Sequence, residues 1–136
     1  MPKAVSVWML AGVLVFGGSA TSAQEFNADE LSDYEGLANA LNDGHVKNLL
    51  VLDIRPRELF LQAHIPKAIN LPLDELWDKV PAKAGVQPIL VLYGRPASSD
   101  TRKAADILKS NGFTRVIIFG SISFWKGPLV EIPPRL

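Results

Sequence analysis

The chain has 136 residues, with 14 basic and 14 acidic side chains and a formal net charge of +0. That length suits one domain, and the even charge balance provides no basic footprint for a nucleic acid. Cysteine is absent, which excludes disulfide staples and every mechanism that uses a thiol of the chain's own.

The amino terminus reads Met1-Pro2-Lys3, then an apolar run over 5–16, then small residues over 17–23 ahead of the polar Gln24-Glu25. A weakly positive start, an apolar core and a small-residue end are the order of a secretory signal peptide. Thr21 and Ala23 fit cleavage after Ala23, with Ala20 the next candidate. The competing reading, an uncleaved membrane anchor, needs about 20 mainly apolar residues, and this core is shorter. A lipid anchor at that point would need a cysteine. The expectation is a signal peptide over 1–23 and an exported domain over 24–136, periplasmic or secreted, with no stable membrane anchor after cleavage. Loss of Lys3 leaves the exported part slightly acidic.

The stretch Asn27-Ala28-Asp29-Glu30-Leu31 starts a short helix, with an Asn or Asp cap and acids in the first turn. Leu37, Ala38, Ala40 and Leu41 recur at helical spacing, and Asn42-Asp43-Gly44 stops that second helix. His45, just past the stop, reads as a solvent-facing loop residue. The apolar run 48–53, ending in Asp53, has the pattern of a strand buried on both faces of a parallel sheet. Pro56 at a first helical position opens a helix over 57–63, His64-Ile65-Pro66 turns, and 68–71 is a short strand. Residues 73–80 have helical spacing, with Leu73, Leu76, Trp77 and Val80 on one face, and 81–87 is a polar connection.

A second buried strand spans 88–93. The loop Gly94-Arg95-Pro96-Ala97-Ser98-Ser99-Asp100 follows it and opens a helix over 100–110, with Ala104, Ala105, Ile107 and Leu108 inward and Asn111-Gly112 as its stop. A third buried strand covers 115–119 and ends at Gly120, and a last short helix lies within 121–125. Alternating strands and helices, with strands apolar on both faces, predict a three-layer α/β domain around a mostly parallel sheet. Ligands of such sheets sit beyond the carboxyl ends of the strands, where Asp53, Arg55 and the 94–100 loop fall. A strand feeding a loop that opens a helix also aims backbone N–H groups at one spot, where an anion can sit.

Two segments carry a more specific pattern. The first is Leu52-Asp53-Ile54-Arg55-Pro56-Arg57-Glu58-Leu59-Phe60 with Ala63-His64-Ile65-Pro66-Lys67-Ala68-Ile69-Asn70-Leu71. The second is Asn111-Gly112-Phe113 with Val116, Gly120 and Trp125. Together and in this order they resemble the rhodanese-like domain family. The resemblance implies a cysteine directly after the middle strand, which carries sulfur as a persulfide in the sulfurtransferases and forms a phosphocysteine in the phosphatase relatives. The matching residue here is Gly94. It further implies that Asp53 and Arg55 tie the strand end to neighbouring backbone, that His64 packs in the turn near them, and that Glu58 belongs to the same structural signature.

The chain departs from the family pattern elsewhere as well. The loop runs through Pro96, Ala97, Ser98, Ser99 and Asp100 rather than through a Gly and an Arg, Ala63 and Lys67 replace the glycines around His-Ile-Pro, and Ser121 replaces a closing glycine. A Ser98 or Ser99 nucleophile would need an adjacent base, and the sequence places none there. These serines read instead as the helix cap, with Asp100 favouring the helix dipole. Arg95 is the loop's candidate anion contact, which Asp100 opposes. No catalytic residue, metal or cofactor is expected. The expected function is an exported, non-catalytic binding or interaction module linked to sulfur or small-oxyanion metabolism, meeting a protein of the cell envelope or a small oxyanion. The alternative is an accessory protein that assists sulfur transfer with a partner's thiol.

Overall fold

Aliphatic runs of four residues, 49–52 and 89–92, form most of the two central strands of a parallel sheet. The computed structural model describes residues 27–79 and 87–132. Its strands are β1 (Leu49–Asp53), β2 (Ile69–Asn70), β3 (Ile89–Gly94) and β4 (Val116–Ser121). They lie in the order β2-β1-β3-β4 with every neighbouring pair parallel. The helices are α1 (Ala28–Leu31), α2 (Tyr34–Asp43), α3 (Arg57–Gln62), α4 (Leu76–Lys79) and α5 (Asp100–Ser110). β3 is buried along its whole length, as a central strand covered by helices on both faces must be.

Successive strand residues divide between two cores, the consequence of a side-chain period of two. Val51, Val91, Tyr93, Ile117 and Phe119 join Leu31, Leu37 and Ala40 from α1 and α2 in one. Leu52, Leu90 and Leu92 join Leu76, Ala104, Ala105 and Leu108 from α4 and α5 in the other. Helix, sheet, helix: the expected three layers are present. Among the described residues, no helix is long and apolar enough to cross a membrane.

Capping chemistry sets the helix ends. Asn27 Oδ1 accepts the Asp29 N–H at 3.0 Å, and the Asp33 carboxylate accepts the Glu35 N–H at 3.2 Å. Gly44, at φ +67°, ends α2 in the left-handed conformation that glycine adopts at little cost.

Several boundaries differ from the sequence expectation. α2 starts at Tyr34, ahead of the periodic apolar residues, because Asp33 supplies the cap. Pro56 stands at the cap of α3 and not inside it, and that helix ends at Gln62. The expected strand 68–71 pairs only at Ile69–Asn70. The expected helix over 73–80 is a 3-10 turn, Leu73–Glu75, running into the single turn of α4. Leu73 and Leu76 do pack on the second core. Val80, the Trp77 side chain, the 81–86 connection and the 1–23 signal segment lie outside the described residues. The third strand runs to Ser121 and is not buried throughout: on the sheet edge it alternates, leaving Ile118 39% exposed.

Leu92 sits with no exposed surface between β1 and β4. Leu92→Ala is expected to cost about 2–5 kcal/mol, the range for a buried leucine whose cavity cannot fully collapse. A urea titration checks this as a lower midpoint with an unchanged slope.

Candidate functional site

β1 ends in Asp53, whose register partner on β3 is Tyr93, so both polar side chains meet at the carboxyl edge of the sheet. Asp53 has no exposed surface and Arg55 is 8% exposed. The Arg55 guanidinium donates to the Asp53 carboxylate through Nε at 3.0 Å and Nη2 at 2.7 Å, and the Arg55 backbone N–H donates to the same group at 2.9 Å. Nη2 also donates to the Ala63 carbonyl at 2.6 Å. The Tyr93 hydroxyl donates to Asp53 Oδ2 at 2.6 Å and accepts the Ile65 N–H at 3.1 Å. Asn70 Nδ2 adds bonds to the Asp53 and Arg55 carbonyls, both at 3.0 Å. Burial disfavours the Arg55 charge, but Asp53 outweighs it and holds the guanidinium above its ordinary pKa. One network thus joins β1, β2, β3 and the turn after α3.

His64 belongs to that turn. Its ring stacks on Phe60 at 3.8 Å between centroids, Nδ1 lies 2.9 Å from the Phe60 carbonyl, and its backbone pairs with Val130 in both directions. Glu58 stands exposed in the first turn of α3. Two of the departures around the turn differ in cost. Ala63, at φ −169°, is extended backbone that any residue adopts, whereas Lys67 holds φ +70°, a left-handed conformation that costs a side-chain-bearing residue about 1–2 kcal/mol.

The expected loop over 94–100 is shorter at both ends: Gly94, directly after the tyrosine of the network, still pairs with Ser121 as the last residue of β3, and Asp100 is the first residue of α5. Gly94 is buried, and a Cβ built there would lie 3.4 Å from Ile54 Cγ1 and 3.5 Å from Thr101 Cγ2, ordinary contact distances. A side chain is therefore admissible at this position, and its absence is not forced by the backbone. Residues 95–99 are exposed, and Ala97 turns the chain with φ +56°. Arg95 Nη2 donates to Asp100 Oδ2 at 3.1 Å, with the arginine 54% and the aspartate 21% exposed. An exposed pair of this kind adds little stability, but it takes up the loop's candidate anion contact. Ser98 Oγ accepts the Asp100 N–H at 3.0 Å, while Ser99, at the cap position itself, makes no side-chain cap bond.

A cleft opens on either side of this loop. The first, about 670 Å³, is lined by Ile54, Pro72 and Leu73 and carries Glu58, Asp74, Glu75 and Asp100 against Arg57 and Arg95. The second, about 520 Å³, lies between the loop, the start of α5 and the end of β4, with Arg95 and Arg102 in its wall and no acidic residue. Gly94 lines neither.

Residues 33–127 match the family model of the rhodanese-like domain. The chain belongs to the rhodanese-like domain family. Its sheet and helices superpose on the Alr3790 protein from Anabaena sp. with a TM-score of 0.65 at 27% identity, over 74% of this chain and 82% of that one. A rhodanese with anions from E. coli gives a TM-score of 0.54 at 27% identity, over 61% of this chain and 98% of that one. The adenylyltransferase and sulfurtransferase MOCS3-1 of Zea mays is 35% identical in an alignment of 83 positions that covers 56% of this chain and 18% of that protein. This rhodanese-like domain spans less than a fifth of that relative's length.

The structure of this rhodanese-like domain gathers Asp53, Arg55 and the backbone before His64 into one network and places the 94–100 loop directly beyond it. Glu58 stands apart, on the first cleft. Sequence reasoning missed Tyr93 and Asn70. Tyr93 carried a signal, a single polar tip ending an otherwise aliphatic strand, whose meaning depends on the register with Asp53. Arg102, Ile118 and Phe124, which meet in the second cleft, carried none.

Two stability effects are expected. Asp53→Asn leaves the buried guanidinium without its carboxylate and costs about 3–5 kcal/mol, measurable by urea unfolding at pH 7. The Tyr93 hydroxyl is pushed far above its ordinary value of 10.0, first by burial and then by its hydrogen bond to Asp53. The unfolded chain releases that proton near the ordinary value while the folded chain keeps it, so the contribution is complete below about pH 10 and shrinks as pH rises beyond it. Tyr93→Phe is expected to be about 1–3 kcal/mol less stable at pH 8, a gap that narrows when the pair is compared at pH 11.

Proposed function

We propose that this rhodanese-like domain is a non-catalytic binding module of an exported protein, using the 94–100 loop to hold a small oxyanion or an acidic group presented by a protein of the cell envelope. The observation that carries this reading is Gly94. The family's chemistry needs a nucleophile held over the loop amides, and this position supplies no side chain, in a chain with no cysteine anywhere. Neither loop serine takes over. Ser98 is engaged with the Asp100 N–H, and no histidine or other base contacts Ser98 or Ser99 among the described residues.

The anions named with the E. coli rhodanese support an anion as the ligand class. The Arg95–Asp100 pair tempers it: the guanidinium must exchange its carboxylate for the incoming anion, which favours ligands with contacts beyond the charge. The burial of Gly94 favours binding over assistance to a partner's thiol, since a partner's sulfur would have to reach a position that lines neither cleft. Export rests on the order of charge, apolar core and small residues over 1–23. Its expected product begins at Gln24.

The test is a thiosulfate:cyanide sulfurtransferase assay on the purified protein beside a Gly94→Cys variant. The wild type is expected to form thiocyanate no faster than the uncatalysed background; formation above it would overturn the proposal. The cysteine variant is expected to fold, since its Cβ meets only ordinary contacts, and alkylation by iodoacetamide shows whether its thiol is reachable.

A further inference from the structure

The second cleft differs from the first in charge and in wall. Its lining residues include Arg95, Ser98, Thr101, Arg102, Ile118 and Phe124, and no aspartate or glutamate is among them. Arg95 shares its charge with Asp100. Arg102, exposed on the first turn of α5, has no acidic partner within 4 Å among the described residues. The start of this eleven-residue helix adds the positive end of its dipole.

Thr101 supplies an independent observation. It is 8% exposed and lines this cleft, and no protein group among the described residues takes up its hydroxyl. Its methyl is the part directed at Gly94, with Cγ2 3.5 Å from where a Cβ would stand there. A threonine hydroxyl that no protein group engages, on the wall of a cleft, is free to donate to a ligand oxygen. The opposite wall is apolar. Ile118 is 39% and Phe124 56% exposed, and the Phe124 ring lies so close over Gly120 that a Cβ there would meet it at 3.0 Å. No side chain at residue 120 fills the space between them.

We propose that this cleft binds a small organic anion, a carboxylate or sulfonate joined to a short apolar body. The head lies at Thr101 and Arg102 and the body lies over Ile118 and Phe124. The proposal rests on the reading of the 94–100 loop as a binding element and specifies its ligand. The cleft's volume of about 520 Å³ falls within the usual range for small-molecule sites. A bare inorganic oxyanion would satisfy the head groups and leave the apolar wall in water.

The test uses the isotope-labelled protein titrated with sodium benzenesulfonate and, separately, with sodium sulfate, followed by amide chemical shifts. Benzenesulfonate is expected to give saturable shifts at Thr101, Arg102, Ile118 and Phe124 with a Kd of about 1 mM, as its size allows, and sulfate to bind at least about tenfold more weakly. Thr101→Val keeps the shape and removes the hydroxyl. It is expected to fold as well as the wild type and to weaken benzenesulfonate about tenfold, as is Arg102→Gln, while Glu58→Gln on the other cleft leaves the Kd unchanged. Absence of saturable shifts, shifts centred on Glu58 and Asp74, equal affinity for sulfate, or full affinity in Thr101→Val would each overturn the proposal. A failure here leaves the wild-type sulfurtransferase result untouched, so the two readings fail separately.

Discussion

The hydrogen bond from Tyr93 to Asp53 is the contact on which the carboxyl edge of the sheet depends. Tyr93 is the last side chain before Gly94, and its hydroxyl is shared between a carboxylate on β1 and a backbone N–H in the turn after α3. A loop that starts one residue later inherits its position from three separate parts of the chain. The bond is short because the carboxylate is fully buried and already held by Arg55, and hydrogen bonds to a charged acceptor in a dry setting are the strong ones. The arginine then reaches onward to the Ala63 carbonyl. That links the network to the backbone preceding His64.

The sheet was legible because its residues obey one constraint each. A run such as 89–92 has no polar side chain to place, and only a strand covered on both faces accommodates it. Helix ends were legible where the signal is local, as at the Gly44 stop, while the choice of Asn27 over an aspartate as the first cap came from the structure. The misjudged positions are those whose state depends on a neighbour. Ile118 has the composition of a buried strand residue, but nothing in residues 115–119 says that β4 lies on the sheet edge. The serine cap at the loop was placed at the right pair of residues, yet the choice of Ser98 over Ser99 follows from the turn at Ala97.

The site was legible in its parts and less so in its assembly. Asp53, Arg55 and the loop could be assigned to one edge because parallel strands put their carboxyl ends together. Tyr93 and Asn70 became network members only through the register that sets residue 53 beside residues 70 and 93. The sequence presents Arg95 as an anion contact and Asp100 as its opponent. Their pairing shows that these are one feature, a charge pair across the loop whose acid lines the first cleft and whose arginine reaches both.

Frame and chemistry are separable in this domain. Asp53, Arg55 and Tyr93 are buried and bonded to one another, so any substitution there is felt in folding before it is felt in function. Residues 95–99 are exposed and, apart from the Arg95–Asp100 pair and the Ser98 bond, answer to little beyond the turn they must make. Gly94 sits at the joint: it is buried, yet a Cβ would meet no clash. A change of side chain at that joint would reach Ile54 and Thr101 at ordinary contact distance and touch neither the network behind it nor the lining of either cleft. The fold can therefore hold the Asp53–Arg55–Tyr93 network whatever residue 94 carries, while the loop's charges divide between an acidic cleft and one without acids.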